Sequence, residues 1–142
     1  MGHDSTYAPY AHPFGEGWLR GMDPLQEKID ELLIVNQQRL GVELQFKSNS
    51  GRFAELMRLP HEQTGRRAVV LIDEYDKPIL DNLEHPDTAR EMREQLQDLY
   101  SALKPQDGHI QCIFMTGVGN LSKVSLLKVE LASCRLFLKK AW

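Results

Sequence analysis

The sequence predicts an α/β domain built on a βαβ unit, and three observations carry that expectation. Two short apolar runs, Ala68-Val69-Val70-Leu71-Ile72 and Ile110-Gln111-Cys112-Ile113-Phe114-Met115, have the length of strands and end in turn signals. Between them Ala89, Met92, Leu96, Leu99, Tyr100 and Leu103 keep helical spacing, with charged residues on the opposite face. Strands joined through such a helix run parallel with a right-handed crossover. Finally, two adjacent carboxylates, Asp73 and Glu74, follow the first run directly, at the strand end where open α/β sheets hold ligands.

The elements follow in order. Residues 1–21, rich in Gly, Pro, His and Tyr and without a period, are expected to be a loop or a disordered lead-in. Asp23-Pro24-Leu25-Gln26 opens a helix as a capping pattern, Leu25, Ile29, Leu32, Leu33 and Leu40 form its stripe, and Gly41 stops it. Val42–Phe46 alternates as a short strand or extended link, and Ser48-Asn49-Ser50-Gly51 caps a short helix carrying Phe53, Leu56 and Met57 that Pro60 limits or kinks. Arg66 and Arg67 are expected to solubilise the start of the first buried strand rather than bind phosphate, since they lie away from its ligand-facing end. After Pro78, residues 79–83 are a connector. The central helix then starts at His85-Pro86-Asp87-Thr88 and ends at Pro105, and Gln106-Asp107-Gly108 turns the chain into the second strand.

Composition bounds the function. At 142 residues, 42% hydrophobic and 26% charged with a net charge of −3, the chain is one ordinary globular domain. The charge does not support a dedicated nucleic-acid binder, which needs a basic surface. No apolar run is long enough for a transmembrane helix, and residues 1–13 lack a signal-peptide pattern. Cys112 and Cys134 are too few for a disulfide framework or a zinc site, so Cys112 is expected as a buried, reduced thiol and the compartment as cytoplasmic.

The chemistry concentrates at the ends of the two strands. A buried strand running into Asp73-Glu74 has the form of a Walker B element. There the first acid (Asp73) helps hold a hydrated Mg²⁺ and the second (Glu74) orients or deprotonates the attacking water. The same pair also suits the start of a solvated loop. In a parallel pair Thr116 lies beside these acids, either as a sensor of phosphate or water or as a hydroxyl capping the next turn. Lys123 is a further cation within reach of a phosphate, though a lone loop lysine is ordinarily solvated.

Val69 to Leu83 (VVLIDEYDKPILDNL), Glu91 to Lys104 (EMREQLQDLYSALK) and Phe114 to Leu126 (FMTGVGNLSKVSL) resemble the bacterial AAA-ATPase-like family, whose P-loop NTPase domain usually precedes a PD-(D/E)XK nuclease-like domain. FGEGWLRG, LQEKIDELL and QRLGVEL are similar to its middle section, so the resemblance spans about residues 14–127. It implies a P-loop NTPase fold with Asp73 and Glu74 as Walker B acids, Thr116 at the sensor position, and Mg²⁺ and ATP as cofactors. Family members hold the nucleotide phosphates on a Gly-rich Walker A loop with Lys-Ser. No G-x-x-x-x-G-K-[ST] pattern occurs here, and residues 128–142 depart from the family pattern. The expected architecture is therefore a partial P-loop NTPase-like parallel sheet in residues 22–127 without the Walker A strand and loop, from a truncated or frame-shifted product or a gene fragment.

Three functional classes follow. An ATPase-like fragment is expected to be inactive alone, because phosphoryl transfer rests on holding the γ-phosphate in line. A metal-dependent nuclease-associated module would use Asp73, Glu74, Asp76 and Lys77, and a non-enzymatic interaction fragment would use none of them. Loss of the neighbouring strand would bare the edge of residues 110–115 and invite self-association, unless residues 126–138 pair with it or pack over it.

Overall fold

A computed structural model describes residues 10–11, 22–117 and 135–140. Its centre is the expected parallel pair, β2 (Ala68–Ile72) and β3 (Ile110–Gly117), in the register Val70↔Ile113 and Ile72↔Met115, with a shift between Ala68 and Val69. β1 (Tyr10–Ala11) and β4 (Arg135–Lys140) flank it, giving a four-stranded sheet in the order β1-β2-β3-β4 with every pairing parallel.

The alternation of the strands decides where the core lies. Ala68, Val70 and Ile72 of β2 and Ile113 and Met115 of β3 share one buried face. They join a cluster with Leu25, Ile29 and Leu33 of α1 (Met22–Leu40), Leu56 and Met57 of α2 (Asn49–Thr64), and Met92 and Leu96 of α4 (Pro86–Ser101). Each of these side chains larger than that of Ala68 contributes about 1.5–3 kcal/mol of transfer free energy. On the opposite face Val69, Leu71, Cys112 and Phe114 are only half-buried. Among the described residues no helix is long and apolar enough to cross a membrane.

Several local expectations change. Tyr10–Ala11, placed in a lead-in loop, is a strand pairing with Leu71 and Ile72; two residues of backbone pairing leave no period to read. Asp23 lies inside the first turn of α1. Gln26 does not complete a capping box: its Nε2 donates to Gln95 at 2.7 Å and its Oε1 accepts from Asn49 at 3.1 Å, tying α1 to α4 and α2. Val42–Phe46 is the extended link of the two alternatives, because the buried Glu55 carboxylate accepts the N–H groups of Gln45 (2.9 and 3.1 Å) and Phe46 (3.1 Å) that a strand would give to a neighbour.

Ser48 caps α2 as expected by accepting the Gly51 N–H at 3.1 Å. Pro60 does not limit this helix, which runs on to Thr64 and stops at Gly65 (φ +73°). The ring removes one N–H, while the Thr64 hydroxyl supplies a donor to the Pro60 carbonyl at 2.7 Å. The connector expected at 79–83 overlaps a short helix, α3 (Lys77–Leu80). α4 ends at Ser101, before Pro105, which instead lies in a 3-10 helix (Lys104–His109) that also absorbs the expected turn. β3 continues through Thr116 and Gly117, beyond the expected end at Met115. Arg135–Lys140 pair with Cys112–Gly117, so the β3 edge is covered as expected by residues 135–138 of the 126–138 span, and the pairing runs on to Lys140. Lys123, Cys134 and residues 118–134 as a whole lie outside the described residues.

Candidate functional site at the carboxyl ends of the central strands

The register of the sheet builds the site. Ile72 pairs with Met115, so the next residues in each strand direction are Asp73 and Thr116. The Thr116 hydroxyl donates to Asp73 Oδ1 and accepts the Glu74 backbone N–H at 2.8 Å. Its carbonyl accepts the Tyr75 N–H at 3.0 Å, extending the β2–β3 ladder beyond the last paired residue of β2. One threonine thus holds three successive residues of the acidic turn.

Glu74 carries two costs at once. Its φ of +52° is left-handed, a conformation that strains a residue with a Cβ. Its side-chain Oε2 is buried and has no hydrogen-bond partner in the chain. A buried carboxylate oxygen without a donor is expensive, and strain and an unsatisfied group at one residue are what a ligand-facing position accumulates. Asp73 and Glu74 are both only partly exposed, so the pair does not sit in a freely solvated loop.

Behind the acids lies a packed layer. Tyr75 is buried, its hydroxyl has no partner in the chain, and burial, followed by the nearby Asp76, pushes its pKa up to about 12. A Cβ at Gly117 would stand 2.8 Å from Tyr75 Cε1, so only glycine lets the ring lie against β3. Tyr100 reaches from α4 to donate its hydroxyl to the Tyr75 carbonyl at 3.2 Å; burial, then Asp76 and Tyr75, keeps that phenol protonated. Tyr75, Tyr100 and Gly117 were not singled out from sequence. A glycine directly after Thr116 inside a strand was the available signal, since such glycines mark close approaches.

The structure brings Glu74, Thr116 and Asp73 together, as the strand pattern anticipated, and gives Thr116 a specific task. Its hydroxyl proton is committed to Asp73, so Thr116 positions the turn in this state. Asp76 is buried, its Oδ2 3.3 Å from where a Cβ at Gly117 would stand, and Lys77 pairs with Asp81 at 2.7 Å. The three acids of the nuclease constellation, Asp73, Glu74 and Asp76, do not form a group suited to a metal. No group of three or more His, Cys, Asp or Glu side chains suited to a metal occurs among the described residues. One or two carboxylates suit Mg²⁺, which keeps most of its waters and takes other ligands from a phosphate. Asp73, with the orphaned oxygen of Glu74 beside it in sequence, fits that donor set.

The family model described as "Predicted AAA-ATPase" matches residues 2–127, reaching further upstream than the resemblance at 14–127. The chain is 50% identical over 129 residues to an "Uncharacterized protein in vnfD 5'region" of Azotobacter chroococcum mcd 1, an alignment covering 87% of this chain and 25% of that protein. The chain thus spans about a quarter of the length of the curated relative it matches. No solved structure matches.

Proposed function

Because the chain belongs to the AAA-ATPase-like family, we propose that Asp73, Glu74 and Thr116 form the hydrolytic end of an ATP site. The observation that carries this is Glu74: a strained backbone and a buried, unpartnered carboxylate oxygen beside the Thr116–Asp73 hydrogen bond. Asp73 would hold the cation through its carboxylate and waters. When bound, Mg²⁺ would offset charge on the phosphate oxygens. Glu74 would accept a proton from, or align, a water at the oxygen that has no donor in the chain. Thr116 fixes the backbone from which Glu74 projects.

None of the 142 residues supplies a Walker A pattern, and hydrolysis depends on holding the γ-phosphate in line. The chain alone is therefore proposed not to turn over ATP. Two measurements test this. Mn²⁺, a paramagnetic stand-in for Mg²⁺, should broaden the amide resonances of Asp73, Glu74 and Thr116, and Asp73→Asn should abolish the effect. Steady-state ATP turnover by the chain should match that of Glu74→Gln. Turnover that Glu74→Gln removes would overturn the inactivity, and Mn²⁺ broadening elsewhere would overturn the site.

A further inference from the structure

His61 and His109 face each other across the join between α2 and the 3-10 helix that feeds β3. Their Nδ1 atoms are 2.8 Å apart and the ring planes cross at 70°. The ring centroids stand 5.1 Å apart, longer than the nitrogen gap by about one ring diameter, so both nitrogens lie on the line between the rings. A metal ion needs donors that converge on one point. This head-on pair does not converge, and suits a proton instead.

That geometry fixes how the pair takes up acid. With both rings neutral, the Nδ1–H of one donates to the bare Nδ1 of the other. A first added proton goes to the bare Nε2 of the donating ring and leaves the bond in place, now charge-assisted. A second must go to the accepting Nδ1, where two N–H groups would point at each other across 2.8 Å. The bond cannot survive it.

Packing decides what gives way. Glu55, Leu56 and Met57 anchor α2 in the interior. The 3-10 helix, Lys104–His109, buries none of its residues, so little apolar contact holds it once the histidine bond is lost. Among the described residues, the charges acting on His109 come from α2: after burial and His61, Glu62 favours its protonation and Arg58 opposes it. On its own element the charged residues are Lys104 and Asp107. On β3 the nearest titratable side chain in sequence is Cys112, a thiol that burial keeps protonated.

We infer that His61 and His109 form a pH-operated clasp: one proton on the line between them fastens the 3-10 helix to α2, and protonation of both facing nitrogens opens that contact while the rest of the fold stays closed. A fastening that only had to hold would serve with any donor and acceptor. Two imidazoles make it open on acidification below the ordinary histidine value of about 6.5. The clasp lies at the far end of β3 from Thr116, roughly 20 Å away at about 3.3 Å per residue, and is independent of any nucleotide at the acidic strand ends.

The test is an NMR titration of the full ¹⁵N-labelled chain in EDTA, from about pH 8 down to about pH 4.5, just above the ordinary carboxylate range. The imidazole nitrogens of the pair should show two steps. A coupling across the hydrogen bond between the two Nδ1 nuclei should persist through the first step and vanish in the second. Only in the second step should the amides of residues 106–110 move, while those of the core residues Val70 and Met115 stay in place. His61→Phe, with its Val70 and Met115 resonances unmoved to show an intact fold, should raise the protonation midpoint of His109 by about one pH unit, the worth of one hydrogen bond. Independent titration of the two rings, a coupling that outlasts the second step, or stationary amides at 106–110 would overturn the inference. So would an unchanged His109 midpoint in His61→Phe, or no second step above about pH 4.5.

Discussion

Thr116 accepts the backbone N–H of Glu74 at 2.8 Å while donating its own proton to the Asp73 carboxylate. A hydroxyl is the smallest group able to do both. Thr116→Val keeps the shape and removes both bonds, leaving a part-buried N–H and a carboxylate oxygen without this partner. A loss of about 1–3 kcal/mol in urea-unfolding stability is expected. Thr116→Ser should recover most of it, and equal stability of the Val and Ser variants would show that packing, not the hydroxyl, matters here.

Glu74 should behave as a residue retained at a cost to stability. Glu74→Gly removes the left-handed strain and the orphaned oxygen together, against the extra chain entropy of glycine. The unfolding free energy should rise by about 1 kcal/mol, whereas Glu74→Gln, which keeps the backbone strain, should gain less. A destabilised Glu74→Gly variant would mean that the carboxylate holds the turn together.

Gly117→Ala places a methyl 2.8 Å from the Tyr75 ring, between two elements that cannot both stay where they are. Overpacking of this kind costs about 1–3 kcal/mol. Combining it with Tyr75→Leu should cost less than the sum of the two single changes. An additive cycle would place the clash elsewhere.

His61 and His109 meet Nδ1 to Nδ1 at 2.8 Å, an arrangement in which one ring donates and the other accepts. His109 is held below the ordinary histidine range first by burial and then by His61; Arg58 adds to the effect and Glu62 opposes it. Its neutral form is thus favoured in the fold, and the unfolded chain takes up the proton first. The contribution to stability is complete above about pH 6.5, the unfolded value, and is lost as pH falls through the lower folded value. The urea midpoint should drop on acidification from neutrality, and His109→Gln should flatten that dependence. An unchanged slope would assign the acid sensitivity to other groups.

Pairing of Arg135–Lys140 along Cys112–Gly117 covers an apolar strand edge. Deleting residues 135–142 exposes the backbone donors and acceptors of β3, and such edges recruit further strands. Light scattering should show concentration-dependent association of the shortened chain and less of it for the full chain. A monodisperse, monomeric deletion variant would remove the protective role of the tail.

Sequence alone determined the two central strands, their helical crossover, and the presence of Asp73, Glu74 and Thr116 at adjacent strand ends. These follow from short-range causes: apolar run length, helical period, and the rule that a helical crossover makes strands parallel. Tertiary structure decided the rest. Tyr10–Ala11 becomes a strand only because Leu71 and Ile72 offer it backbone groups, and Val42–Phe46 is denied one because Glu55 takes its N–H groups. Gly117 is needed only because Tyr75 turns back onto β3, and His61 meets His109 only because α2 packs against the 3-10 helix. Contacts between residues far apart in the chain leave no period to read, so which partner each group finds is settled only once the elements pack.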